Sequence, residues 1–266
     1  MTARLGPLFE ACKAEQRAAL IGYLPAGYPT VEGSRELFAA MLDGGCDLVE
    51  VGMPYSDPVL DGPTIQAAAE TALRGGVRLR DLLSVVEALA AAGGRTVVMT
   101  YWNPIHRYGV DAFARDLAAA GGLGVITPDL IPDEAEDWLA AAEAYDLDRI
   151  FLVAPSSTDR RLASTAAASR GFLYASSVMG VTGARDSVSA AAATLVARVR
   201  PFAAELPVGV GLGVRDGAQG AEVAAFADAV IVGSAFVTAA QDGDSGVRAL
   251  AADLAGGVRR AAPQPA

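Results

Sequence analysis

Eight short apolar runs recur along the chain, each separated from the next by enough residues for a helix, and this alternation limits the fold more than any other feature. The runs are Ala19 to Leu24, Leu48 to Val51, Thr96 to Tyr101, Gly124 to Thr127, Ile150 to Val153, Phe172 to Ala175, Val208 to Val210 and Ala229 to Val232. They are rich in Val, Ile and Leu and do not alternate with polar residues, the pattern of strands buried on both faces of a parallel sheet. Between them lie Ala-rich segments with charges at helical spacing, among them Leu79 to Ala92, Ala112 to Ala120, Asp133 to Tyr145, Asp159 to Ser169 and Ser187 to Arg200. Each can supply a crossover helix. Eight such units in 266 residues fit a closed (β/α)8 barrel of the α/β class better than an open doubly wound sheet. The first run is followed by Pro25-Ala26-Gly27-Tyr28-Pro29-Thr30, without the G-x-G-x-x-G turn of a dinucleotide-binding sheet. Leu5 to Ala18 reads as an extra helix capping the barrel floor. A single domain is expected over 1–260, with 261–266, rich in Pro and Ala, as a disordered tail.

Charge narrows the partners. Asp and Glu number 31 against 21 Lys and Arg, a net charge of −10, and no Lys/Arg cluster exists to displace counterions from a nucleic acid. The N-terminus lacks the uninterrupted apolar stretch of a signal peptide, and no run approaches the ~20 apolar residues of a membrane span, so the cytoplasm is the expected compartment. Cys12 and Cys46 read as reduced thiols. A single histidine, His106, with no Cys or His pair at ligand spacing argues against zinc and against His-dependent triads. His106 itself reads as a loop residue at the surface or against a partner.

In such a barrel the chemistry lies at the C-terminal ends of the strands. Glu50 follows Leu48 and Val49 in a run that is expected to be buried, where an unpaired ionised carboxylate costs several kcal/mol. It is therefore either a strand-end carboxylate satisfied by backbone amides or a group that does chemistry. Asp57-Pro58 and Asp61-Gly62-Pro63 each also fit ordinary turn chemistry. Gly180-Val181-Thr182-Gly183 follows the sixth run, Gly211-Leu212-Gly213 the seventh and Gly233-Ser234-Ala235 the eighth. Such glycines let backbone N–H groups approach an anion, and a short helix starting at Ser234 aims its N-terminus at the same rim. These loops read as a phosphate site, against the plainer reading that they only form tight turns. Tyr23, Tyr101 and Tyr174, at the ends of the first, third and sixth runs, are candidate pocket walls with polar tips.

The run Glu50-Val51-Gly52-Met53-Pro54-Tyr55-Ser56-Asp57-Pro58-Val59-Leu60-Asp61-Gly62-Pro63-Thr64-Ile65-Gln66 closely resembles the signature of the tryptophan synthase α chain family. Tyr101-Trp102-Asn103-Pro104-Ile105 and the three glycine motifs resemble the family's other motifs, in the same order, so that the likeness spans nearly the whole chain. It implies a barrel that cleaves indole-3-glycerol phosphate to indole and glyceraldehyde 3-phosphate. It implies no cofactor in this chain, and a pyridoxal-phosphate β chain as partner in an α2β2 assembly. By the same resemblance Glu50 is the general acid/base, Asp61 stays ionised and bonds the indole N1–H, and Thr182 bonds Asp61 when the loops close. Gly183, Gly213, Gly233 and Ser234 then hold phosphate, with Gly211 on the same rim, and Tyr174 lines the pocket. Met53 to Pro58 and Asn103 to Tyr108 face the β chain. The chain departs from the family pattern at Tyr28, where Asp is common, at an extra residue within Pro128 to Pro132, and at Ser176 to Met179, which lacks a basic residue. From the residues alone, a non-catalytic regulatory phosphate-binding subunit, or another phosphate-binding barrel enzyme such as an isomerase or a flavin enzyme, remains open.

Overall fold

The computed structural model describes residues 3–176, 185–211 and 213–260. Eight parallel strands, β1 (Ala19–Pro25), β2 (Leu48–Gly52), β3 (Thr96–Met99), β4 (Gly124–Thr127), β5 (Asp148–Val153), β6 (Leu173–Ser176), β7 (Val208–Gly211) and β8 (Ala229–Val232), close into a barrel in sequence order, with β8 pairing back to β1. The (β/α)8 barrel expected from the alternation is the fold. Two strands differ from their expected bounds by two residues, and four others by one. β3 stops at Met99, so Tyr101 is not a strand residue but the cap of the next helix, and β5 starts two residues early, at Asp148.

Twelve α-helices surround the barrel among the described residues: α1 (Gly6–Ala14), α2 (Val31–Gly44), α3 (Pro63–Arg74), α4 (Leu79–Ala91), α5 (Trp102–Tyr108), α6 (Val110–Ala119), α7 (Glu136–Ala144), α8 (Asp159–Ala168), α9 (Arg185–Ala203), α10 (Gly217–Ala224), α11 (Ser234–Ala239) and α12 (Gly243–Arg260). Their amphipathic spacing explains their docking. In α4, Leu82, Val85, Val86 and Leu89 fall at i, i+3, i+4 and i+7 and are all buried. Truncating fully buried Leu82 to Ala costs about 2–5 kcal/mol. Thr30 starts α2 by accepting the Gly33 N–H at 3.0 Å, and Gly45, with φ +112°, ends it in the left-handed conformation that glycine adopts freely. The segment Asp133 to Tyr145 is not one helix: a 3-10 turn at Pro132–Glu134 precedes α7.

Alternate strand residues point into the barrel. Ala19, Ile21, Leu48, Val97, Ile126, Ile150, Phe172, Ala229 and Ile231 fill its interior together with Leu5, Leu8, Phe9 and Cys12 from the N-terminal segment. Helix α1, shorter than the expected Leu5 to Ala18, does plug the floor. Asp148, fully buried at the start of β5, fastens that plug: its carboxylate accepts the Arg4 N–H at 3.0 Å and the Leu5 N–H at 2.8 Å and pairs with Arg170 Nε at 2.9 Å. With the floor filled, the cavity of the barrel lies toward the C-terminal ends of the strands. The tail 261–266 and the segment holding Gly180, Thr182 and Gly183 lie outside the described residues.

Candidate active site

A cavity of about 730 Å³ occupies the open end of the barrel. Its walls include Tyr23, Glu50, Asp61, Tyr174, Gly211, Gly213, Gly233 and Ser234, with Met99, Leu152, Ile65 and Ile231 as apolar surface. Eight of the eleven residues singled out from the sequence thus meet at one place. Thr182 and Gly183 lie outside the described residues, and Tyr101 stands behind the wall rather than in it.

Glu50 is the third residue of β2, paired in register with Tyr23 of β1 and Val97 of β3. The alternation that sends Leu48 inward to the floor sends Glu50 inward one layer higher. It is 1% exposed, and its Oε2 has no hydrogen-bond partner among the described residues. The reading of a carboxylate satisfied by backbone amides therefore fails for that oxygen. Loss of hydration, and secondarily the charge of Asp61, push the Glu50 carboxyl up to about 8, so that it keeps its proton at neutral pH.

Asp61 lies two residues before Pro63, the first residue of α3, where helix N–H dipoles favour a negative charge. Its backbone is fixed by its neighbour in the helix, since Gln66 Nε2 donates to the Asp61 carbonyl at 2.7 Å. Partial burial raises its pKa above the usual carboxylate value, and a hydrogen bond from the Tyr101 hydroxyl pulls the other way. Two inward carboxyl groups thus have different surroundings: one without a partner for its second oxygen, the other helped by a helix end and a phenol. That separation is what assigns proton donor and anion in acid–base sites.

The tyrosines depend on glycines. A Cβ on Gly52 would sit 2.5 Å from the Tyr23 ring, and one on Gly211 would sit 2.4 Å from the Tyr174 hydroxyl. Each ring therefore lies across a bare backbone on the neighbouring strand. Gly213, with φ +65°, holds a conformation that favours glycine, and a Cβ there would meet open space. Gly233 precedes α11, which begins at Ser234 as expected. His106 is on α5 rather than in a loop, exposed, with its ring 6.3 Å from that of Trp102. Sequence reasoning missed the apolar walls Met99, Leu152 and Ile231, although the period-two count that places Glu50 inward also applies to them. Among the described residues no group of three or more His, Cys, Asp or Glu side chains is arranged to hold a metal ion.

A closed parallel barrel whose mouth holds a buried carboxyl with a raised pKa, beside a second carboxyl in a more polar setting, defines a class: a (β/α)8 barrel enzyme with its site at the C-terminal ends of the strands. The family model described as tryptophan synthase alpha chain matches residues 9–260. The tryptophan synthase alpha chain of Mycobacterium tuberculosis is 67% identical over 256 residues, covering 96% of this chain and 94% of that protein. That of Nocardia farcinica is 66% identical over 258 residues, covering 97% of each. A solved structure of Mycobacterium tuberculosis tryptophan synthase superposes with a TM-score of 0.93 at 64% identity, covering 97% of this chain and 99% of that one. The chain belongs to the tryptophan synthase alpha chain family. It is a lyase of tryptophan biosynthesis that acts on indole-3-glycerol phosphate and has no cofactor of its own, pyridoxal phosphate being carried by the β chain.

Proposed function

We propose that Glu50 and Asp61 carry out the aldol cleavage of indole-3-glycerol phosphate, with the phosphate held at Gly213, Gly233 and Ser234. The observation that carries this reading is the buried, unpartnered Glu50 Oε2 facing a cavity that Asp61 also lines. Cleavage needs a proton added to indole C3, positive charge stabilised at N1, and the hydroxyl on the adjoining glycerol carbon deprotonated. Glu50, still carrying its proton, delivers it to C3 and then accepts the hydroxyl proton as the carbon–carbon bond breaks. Indole and glyceraldehyde 3-phosphate leave, and Glu50 is returned to its starting state. Asp61 accepts the N1–H bond as an anion and stabilises the indolenine tautomer.

Tyr23 and Tyr174 wall the indole, and Gly211 gives Tyr174 its room. Tyr101 belongs to the substrate site through the loop residues Val59 and Leu60 that lead into Asp61. Thr182 and Gly183 enter only through the family resemblance, as the closing partner of Asp61 and a phosphate donor. Amide dipoles rather than side-chain cations bind the phosphate, which suits a chain of net charge −10. The indole passes to a β chain, in an α2β2 assembly, docked near Met53 to Pro58 and Asn103 to Tyr108. A cytoplasmic, single-domain enzyme goes with this reading: the substrate is phosphorylated, Cys12 and Cys46 are buried free thiols, and no helix among the described residues is long and apolar enough to cross a membrane. Incubation with indole-3-glycerol phosphate, with and without the β chain, is expected to release indole slowly alone and faster in the complex. No indole under either condition would sink the assignment.

A further inference from the structure

We infer that Tyr101 is a positioning residue: its hydroxyl holds the backbone of Val59 and Leu60, the two residues before Asp61, and thereby sets where Asp61 sits over the cavity. A phenol oxygen has one proton to give and two lone pairs to receive. Both lone pairs are used, by the Val59 N–H and the Leu60 N–H, each at 3.1 Å. The remaining proton is free to favour the Asp61 carboxylate, whose pKa the phenol lowers. Both acceptor positions are thus spent on the two consecutive residues that lead into Asp61.

The ring is held as firmly as its hydroxyl. Tyr101 is 5% exposed and stacks on Tyr55 with centroids 5.0 Å apart and planes 28° from parallel. Tyr55 in turn accepts a hydrogen bond from Asn103 Nδ2 at 3.3 Å. The main chain just after Tyr101 is fixed by the Trp102 N–H, which donates to Asp129 Oδ1 at 2.8 Å. The loop it holds carries little to hold itself: Val59 is 75% exposed and Leu60 47%. Tyr101 does not line the cavity, so its effect on the reaction passes through Asp61.

The inference rests on the role proposed for Asp61. Tyr101→Phe keeps the ring and its stack and removes only the hydroxyl. In the complex with the β chain, kcat is expected to fall about 10- to 100-fold, the scale of a lost hydrogen bond to a charged group, with KM within about twofold because the phosphate contacts are untouched. The acid limb of the rate profile is expected to move to higher pH, because Asp61 loses the donor that favours its ionised form. Wild-type kcat with an unmoved acid limb would overturn the inference, as would a pH-independent loss with KM rising in step, which describes a mere wall. Asp61→Asn, measured alongside, separates the failures. If it retains turnover, the Asp61 assignment falls and takes this one with it; if it is silent while Tyr101→Phe matches wild type, only Tyr101 is misassigned.

Discussion

Glu50 and Asp148 are both buried carboxyl groups on strands of the same barrel, one a layer below the mouth and the other at the floor. Both lose their water, and burial raises the pKa of both. At Asp148 two backbone amides and the Arg170 guanidinium return much of what hydration supplied, and the group ties the N-terminal segment to β5. Glu50 receives nothing at its second oxygen from any described residue. The same desolvation is compensated at the floor and left uncompensated at the mouth. One carboxyl is a clamp, and the other is the group proposed as proton donor.

The largest expected effect separates them by rate. Glu50→Gln is expected to lower kcat about 100- to 10,000-fold with little change in KM, whereas the folded fraction of Asp148→Ala turns over normally. Indole-release kinetics on both variants check this, and retained turnover in Glu50→Gln would give the proton transfer to another group. By stability the contrast reverses. Asp148→Ala leaves two amides and a guanidinium short of their acceptor at the floor, and urea unfolding is expected to show a loss of about 3–5 kcal/mol.

The third effect is a pH dependence. Because the folded-state pKa of Glu50 lies above its unfolded value, the folded chain binds the extra proton, and this contribution to stability falls as pH rises from about 4.5 to about 8. Glu50→Gln has no such proton, so its stability relative to wild type is expected to grow steadily as pH rises through that window. A constant difference across the window would mean that Glu50 is ionised throughout. The smallest effect tests the anion rim. Gly213→Ala forces a side chain into a left-handed backbone, at about 1 kcal/mol, and is expected to raise KM about fivefold with kcat nearly kept.

The clamp and the donor were not equally legible in the sequence. Glu50 stands out because a charge interrupts an apolar run, and Asp61 because it lies within a long motif. Asp148 does not, because β5 reads as starting at Ile150, and the amides of Arg4 and Leu5 that satisfy Asp148 are more than 140 residues away in sequence. The barrel itself was legible because strands buried on both faces leave unbroken apolar runs. Tyr101 marks the limit. Its place after β3 suggested a wall, but where its hydroxyl points depends on the turn into α5 and on the path of the loop from Val59 to Asp61, which no local pattern encodes. Gln66, whose side chain fixes the Asp61 carbonyl, was visible only as part of the motif.

The acid role proposed for Glu50 requires it to hold its proton at neutral pH. Infrared difference spectra of wild type against Glu50→Gln, recorded across a pH titration, read that directly. A protonated-carboxyl band assigned to Glu50, present at neutral pH and titrating away near about 8, is the result expected. A band already lost at the ordinary glutamate value would place an ionised Glu50 in the apolar layer and contradict its role as the acid.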